Sequence, residues 1–166
     1  MSAETSLAGP ATGGVYSSCD AVASDGTNFV AACWKDRDAF TLPIRAADGT
    51  VGAGQLLWTL PPSAPGNPYG RTNSASRIAL SGSKSDYVAA AVQWSEKHMG
   101  GVTSSSLFAW RVASSGAPLG SSPAYQTPWS PDSHYYSPDA ASDGVNHVVA
   151  YSDFYSHTLS VVAATA

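Results

Sequence analysis

Short apolar runs built mainly from Ala, Val, Leu and aromatic residues alternate along this chain with polar clusters of Ser, Asp, Asn and Gly. Runs of that kind, bounded by turn-forming residues, predict β-strands joined by tight turns. One pairing of runs occurs three times. Ala23-Ser24-Asp25-Gly26-Thr27-Asn28-Phe29-Val30-Ala31-Ala32 returns as Ala141-Ser142-Asp143-Gly144-Val145-Asn146-His147-Val148-Val149-Ala150, and Leu80-Ser81-Gly82-Ser83-Lys84-Ser85-Asp86-Tyr87-Val88-Ala89-Ala90 is a looser copy between them. The starts lie about 60 residues apart, a period that suits stacked all-β units and is too long for the common helical repeats. In the two closer copies Asp-Gly separates the runs. Gly takes positive φ at little cost there and Asp bonds its own turn, so each copy predicts a hairpin.

The first strand of each hairpin is expected near residues 19–24, 76–81 and 137–142, and the second near 28–34, 86–94 and 146–152. A third strand follows each pair. Ala39-Phe40-Thr41-Leu42-Pro43-Ile44-Arg45 aligns with Leu107-Phe108-Ala109-Trp110-Arg111-Val112-Ala113, and the last copy is His157-Thr158-Leu159-Ser160-Val161-Val162-Ala163-Ala164. Pro43 removes a ladder donor, which predicts an edge or a bulge at that point. A fourth strand is expected twice, at 55–60 and 123–127, each followed by a Pro-rich connection (61–76 and 128–138). The third unit has no fourth strand of its own, and the segment around Val15 and Tyr16 is the expected substitute. The three units then span about 17–60, 76–127 and 137–166 within one all-β domain of residues 1–166.

This order of strand, Asp-Gly turn, Val-Ala-rich strand and third strand ending in a Gly turn resembles the repeats of secreted bacterial β-propellers, over nearly the whole chain. The resemblance implies an all-β, propeller-like fold of three four-stranded blades per chain, in which strands from both chain ends complete a blade and remove an open edge. It carries no catalytic residue, and the Gly-His and Trp-Asp marks of WD40 repeats are absent. Three blades do not readily close a ring. Self-association into a homo-oligomer is therefore expected, as in lectins that build a ring from short chains of a few blades.

Composition narrows the function. With 43% hydrophobic residues among 166, the chain has the means to build a core, while only 12% are charged, so small and hydroxyl-bearing residues must cover much of the surface. Such a surface fits a secreted protein, extracellular or at the cell surface. The net charge of -4 and the scatter of eight basic residues exclude the clustered cations that nucleic acid requires. No apolar stretch is long enough to span a membrane. Cys19 and Cys33 each lie seven residues from Gly26, on facing strand positions of the first hairpin, where they form either a cross-strand disulfide or two buried free thiols.

Candidate chemistry is sparse. His98, His134, His147 and His157 lack the spacing of metal ligands, and in the repeat alignment His147 and His157 stand where Phe29 and Phe40 do, at ordinary strand positions. Calcium is conceivable at the Asp-Gly turns, but the turns alone account for Asp25 and Asp143. No Gly-x-Ser-x-Gly elbow is present, and Asp132-Ser133-His134 is the kind of coincidence that a Ser-rich chain produces. The expected protein is non-catalytic. Five Trp and eight Tyr are more informative, because flat rings beside hydroxyls are the means by which sugars are held. Trp129, His134, Tyr135 and Tyr136, concentrated in one connection, together with Trp94, are the candidate ligand-binding residues. The competing reading packs Trp34, Trp94 and Trp110 between blades. A carbohydrate-binding, lectin-like module is the leading expectation, a structural subunit of an extracellular assembly the alternative, and a fragment of a propeller-type hydrolase the third.

Overall fold

The computed structural model describes residues 18–62, 71–97, 101–127, 130–131, 135, 138–153 and 159–165. Its elements are strands, in three antiparallel sheets that follow one another along the chain. The first is a meander of β1 (Ser18–Ser24), β2 (Phe29–Lys35), β3 (Asp38–Ile44) and β4 (Gln55–Thr59). The second is built on the long hairpin of β7 (Asp86–Lys97) and β8 (Gly101–Ala113). Onto β7 pair β5 (Arg71–Ala75) and β6 (Ala79–Gly82), and onto β8 pair β9 (Tyr125–Gln126) and β10 (Ser130–Pro131). The third holds β11 (Asp139–Ser142), β12 (Asn146–Ser152) and β13 (Leu159–Thr165).

The repeated turns share one set of bonds. Asp25 Oδ1 accepts the amides of Thr27 and Asn28, and Asp143 Oδ1 accepts those of Val145 and Asn146, with Gly26 and Gly144 at positive φ. In the looser copy the aligned residue is Ser83, whose hydroxyl oxygen accepts from the amides of Ser85 and Asp86. A hydroxyl thus replaces a carboxylate without changing the turn, which is why the copy survives the loss of Asp-Gly. Pro43 pairs with Val30 on one side and lies beyond the last β3–β4 pair, Thr41 with Gln55, where only its carbonyl is engaged, accepting the Gly52 amide at 2.8 Å.

Two expected boundaries move. The stretch 61–76, read from its prolines as a connection, contains β5, which pairs with the far half of β7 while β6 pairs with the near half. Between them Ser76 donates its amide to the Val92 carbonyl, and its hydroxyl accepts the Val92 amide, so a single ladder is broken without orphaned groups. The expected fourth strand at 123–127 contracts to Tyr125–Gln126. The expected strand around Val15 and Tyr16 lies outside the described residues.

Side chains fill the gaps between successive sheets. Val30, Ala32, Ala39 and Leu57 of the first sheet meet Ile78, Leu80, Tyr87, Ala89, Phe108 and Trp110 of the second. Val88, Ala90, Val92, Leu107 and Ala109, on the opposite face of the second, meet Val149 of the third. The short strand β6 packs against both β1 and β11. Alternate residues of β7 therefore serve two different cores, and the strand reads as continuously apolar from Tyr87 to Val92 for that reason. Contact is close enough for polar groups to cross. Asp20 of β1 accepts the Ile78 amide at 2.8 Å, and Thr41 donates to the Gly116 carbonyl.

Cys19 and Cys33 form a disulfide across the paired strands β1 and β2. Its sequence separation of 14 residues corresponds to about 3 kcal/mol of constraint on the unfolded chain. Reduction, or Cys33→Ala with Cys19→Ala, is expected to lower the urea midpoint accordingly without changing the far-ultraviolet circular dichroism of the remaining fold. The second expected outcome concerns Gly82, where a Cβ would run into the Ser24 carbonyl on the neighbouring sheet and the Tyr87 ring. Gly82→Ala should therefore destabilise by about 1–3 kcal/mol or more in the same denaturation measurement, because backbone cannot yield as a side chain does.

Candidate functional site

The seam between the second and third sheets gathers the polar and aromatic groups of interest. Its turn end is held by a buried chain of hydrogen bonds. Ser81 Oγ lies 2.8 Å from His147 Nδ1, and His147 Nε2 lies 3.0 Å from Asp86 Oδ1. Asp86 also meets Arg111, with Nε at 2.7 Å and Nη2 at 2.6 Å from Oδ2, and accepts the Ser83 hydroxyl on Oδ1 at 2.8 Å. Burial pushes the Asp86 carboxyl up, but bonds from Ser83, His147 and Arg111 together with the Arg111 charge outweigh it, so the group titrates below the ordinary aspartate value. An ionised carboxylate only accepts, so Nε2 carries a proton directed at Asp86, while Nδ1 is hydrogen-bonded to the Ser81 hydroxyl.

The order Ser, His, Asp matches that of a hydrolytic triad, yet the environment differs. Ser81, His147 and Asp86 are all buried, and the hydroxyl faces a neighbouring sheet. A nucleophile must reach its substrate, so this arrangement works as a cross-link between sheets. His147 replaces Phe29 in the repeat, as the sequence shows, but its position is far from ordinary. The mate that makes it so, Asp86, aligns with Asn28 and Asn146. A charged residue opening β7 just before the apolar run from Tyr87 to Val92, with Arg111 near its level on the next strand, was the available signal.

The other end of the seam is aromatic. Trp94 donates its Nε1 proton to the Tyr135 carbonyl at 2.8 Å, the Tyr135 amide donates to Ser105 Oγ, and the Tyr135 and Tyr151 rings meet edge to face at 5.2 Å. Burial raises the Tyr151 hydroxyl above the ordinary tyrosine value, and the hydroxyls of Ser160 and Tyr125 lie within its reach. Of the five expected binding residues, Trp94 and Tyr135 come together. Trp129, His134 and Tyr136 lie outside the described residues. Tyr125 and Tyr151 join the group unannounced, one from a two-residue strand and the other from the repeat position occupied by Cys33 and Ala91.

Tyr125 also borders a cavity of about 270 Å³ lined by Val88, Ala109, Arg111, Val149 and Val162. The corresponding gap between the first and second sheets is filled. There Trp58 stacks on Phe108 at 5.5 Å and lies 5.5 Å from Trp110 and 6.0 Å from Trp34. The packing that was expected of Trp34 and Trp110 is seen in that gap, and Trp110 also borders the cavity beside Tyr125, where the described residues form no comparable stack. At the Asp-Gly turns the carboxylates of Asp25 and Asp143 face their own turn amides, and the bonds from Asn146 and Val145 hold the Asp143 carboxyl below the usual range. No cluster of metal-ligating side chains occurs among the described residues.

Asp86→Asn removes the charge that Arg111 and His147 share and is expected to cost about 3 kcal/mol at neutral pH. The wild-type advantage should be complete above the unfolded carboxyl value of 3.8 and disappear as the pH falls through the lower folded value. Urea denaturation of both proteins across that range measures it, and a difference independent of pH would contradict the assignment. Set against known proteins, the chain matches no family, no curated protein and no solved structure.

Proposed function

We propose that this chain is a secreted, non-catalytic carbohydrate-binding module whose three sheets are blades of a propeller-like unit. The blade reading is supported by the serial packing of the sheets and by the placing of β6 between β1 and β11, as inner strands around a common axis would lie. The disulfide between Cys19 and Cys33 fits an oxidising compartment.

One observation carries the ligand class: the seam that lacks the Trp58, Phe108 and Trp110 stack keeps a cavity, and an exposed Tyr125 stands at its mouth beside the Tyr135, Tyr151 and Trp94 cluster. Sugars present C–H faces and hydroxyls together. Aromatic rings pack on the first, and the phenol oxygens and the Arg111 guanidinium bond to the second. A volume just under the range of ordinary small-molecule sites gives room for one sugar ring.

A glycan array should return a restricted set of ligands. Tyr125→Ala should weaken binding to them at least tenfold, about 1.4 kcal/mol, by removing the exposed ring, with the thermal midpoint unchanged. A silent array, or equal affinity in Tyr125→Ala, would sink the carbohydrate reading.

A further inference from the structure

We propose that the outward face of the third sheet seats a second copy of this chain, which meets it head to tail through the margin of its own first sheet. The argument rests on the repeated sheet packing and is independent of the carbohydrate reading.

Within the chain the same interface forms twice. The face of β2 that carries Val30 and Ala32, with Ala39 and Thr41 of β3 beside it, is buried against the second sheet. At the aligned positions of the second sheet, Val88, Ala90 and Val92 with Leu107 and Ala109 are buried against the third. In the third sheet these positions are Val148, Ala150 and Ser152, paired with Ala163, Val161 and Leu159. Here Val148 is 38% exposed, Val161 58% and Leu159 71%. One apolar column is thus covered, covered and open. Water meets the third because no further sheet follows among the described residues, and an exposed apolar sheet face of this kind marks an interaction surface.

The two observed interfaces also define what covers such a face. In each, the ring-bearing residue just after the turn of the following hairpin crosses to the turn region of the preceding sheet. Tyr87 donates its hydroxyl proton to the Asn28 carbonyl at 3.3 Å, and His147 bonds to Asp86. The aligned residue of the first sheet is Phe29, 40% exposed, and the aligned turn residue of the third is Asn146. Phe29 shares its face with Val22, 62% exposed, and with Leu56, while the centre of that face, Ala31, Cys33, Phe40 and Leu42, is buried. The margin of Val22, Phe29 and Leu56 is therefore what a second copy offers to Val148, Val161 and Leu159. The surfaces differ, so the contact is heterologous, and two chains that close on each other form two such contacts around six sheets.

Light scattering across a concentration series should find the wild-type chain at twice its monomer mass or more. Val161→Asp should be monomeric, as should Phe29→Asp, with circular dichroism unchanged. Mixing the two variants should restore a dimer, because the third sheet of the Phe29→Asp chain and the first sheet of the Val161→Asp chain are both intact. If Val161→Asp fails to fold, Leu159→Lys, at the more exposed position, takes its place. A monomeric wild type, or an oligomer that survives Val161→Asp or Leu159→Lys, would overturn the proposal. So would a Phe29→Asp chain that still associates while Val161→Asp does not, since the third sheet would then be pairing with itself.

Discussion

Sheets of four, six and three strands, with alanine at many inward positions, bury too little on their own, so this protein depends on the contact of each sheet with the next. The first of these contacts is closely fitted. Gly82 is required where β6 passes the Ser24 carbonyl, and Tyr87 fills the space beside it with its ring buried and its hydroxyl on Asn28. Burial pushes that hydroxyl up to about 12, so it stays protonated and remains a donor across the working range of pH. The same contact is made next with different chemistry, His147 reaching Asp86 in place of a phenol reaching a carbonyl.

That substitution explains why the two seams differ in character. The first is filled by Trp34, Trp58, Phe108 and Trp110, and its polar crossings are few. The second is anchored at its turn end by a buried ionic network and leaves space farther along, where smaller side chains, Ala109, Val149 and Val162, face each other. A site for a ligand and a fastening between sheets thus lie on one interface. Charged anchoring is costly in a core unless every partner is satisfied, and Asp86 meets this with Ser83, His147 and Arg111.

The fold also shows how a repeat tolerates sequence drift. Asp25, Ser83 and Asp143 differ in charge but present an oxygen to the same two turn amides. Phe29, Tyr87 and His147 differ in chemistry, but each sets a flat ring just after the hairpin turn, and Tyr87 and His147 reach the preceding sheet. What is kept is a geometry, and the residue that fills it follows from the neighbour it meets.

The sequence by itself determined the hairpins, their turns and the facing of Cys19 and Cys33, because these rest on alternation and on bonds spanning two to four residues, which the chain displays locally. It also pointed to Trp94 and Tyr135 as aromatic groups of interest. The tertiary structure alone decided the rest. The division of the inner strand into β5 and β6 follows from a pairing with β7 over two separate stretches, and prolines nearby concealed it. The burial of His147 depends on Asp86, 61 residues away. The joining of Tyr125 and Tyr151 to the cluster depends on which sheets become neighbours. Such contacts depend on packing across the whole chain, where the local pattern of apolar and polar residues carries no record of them.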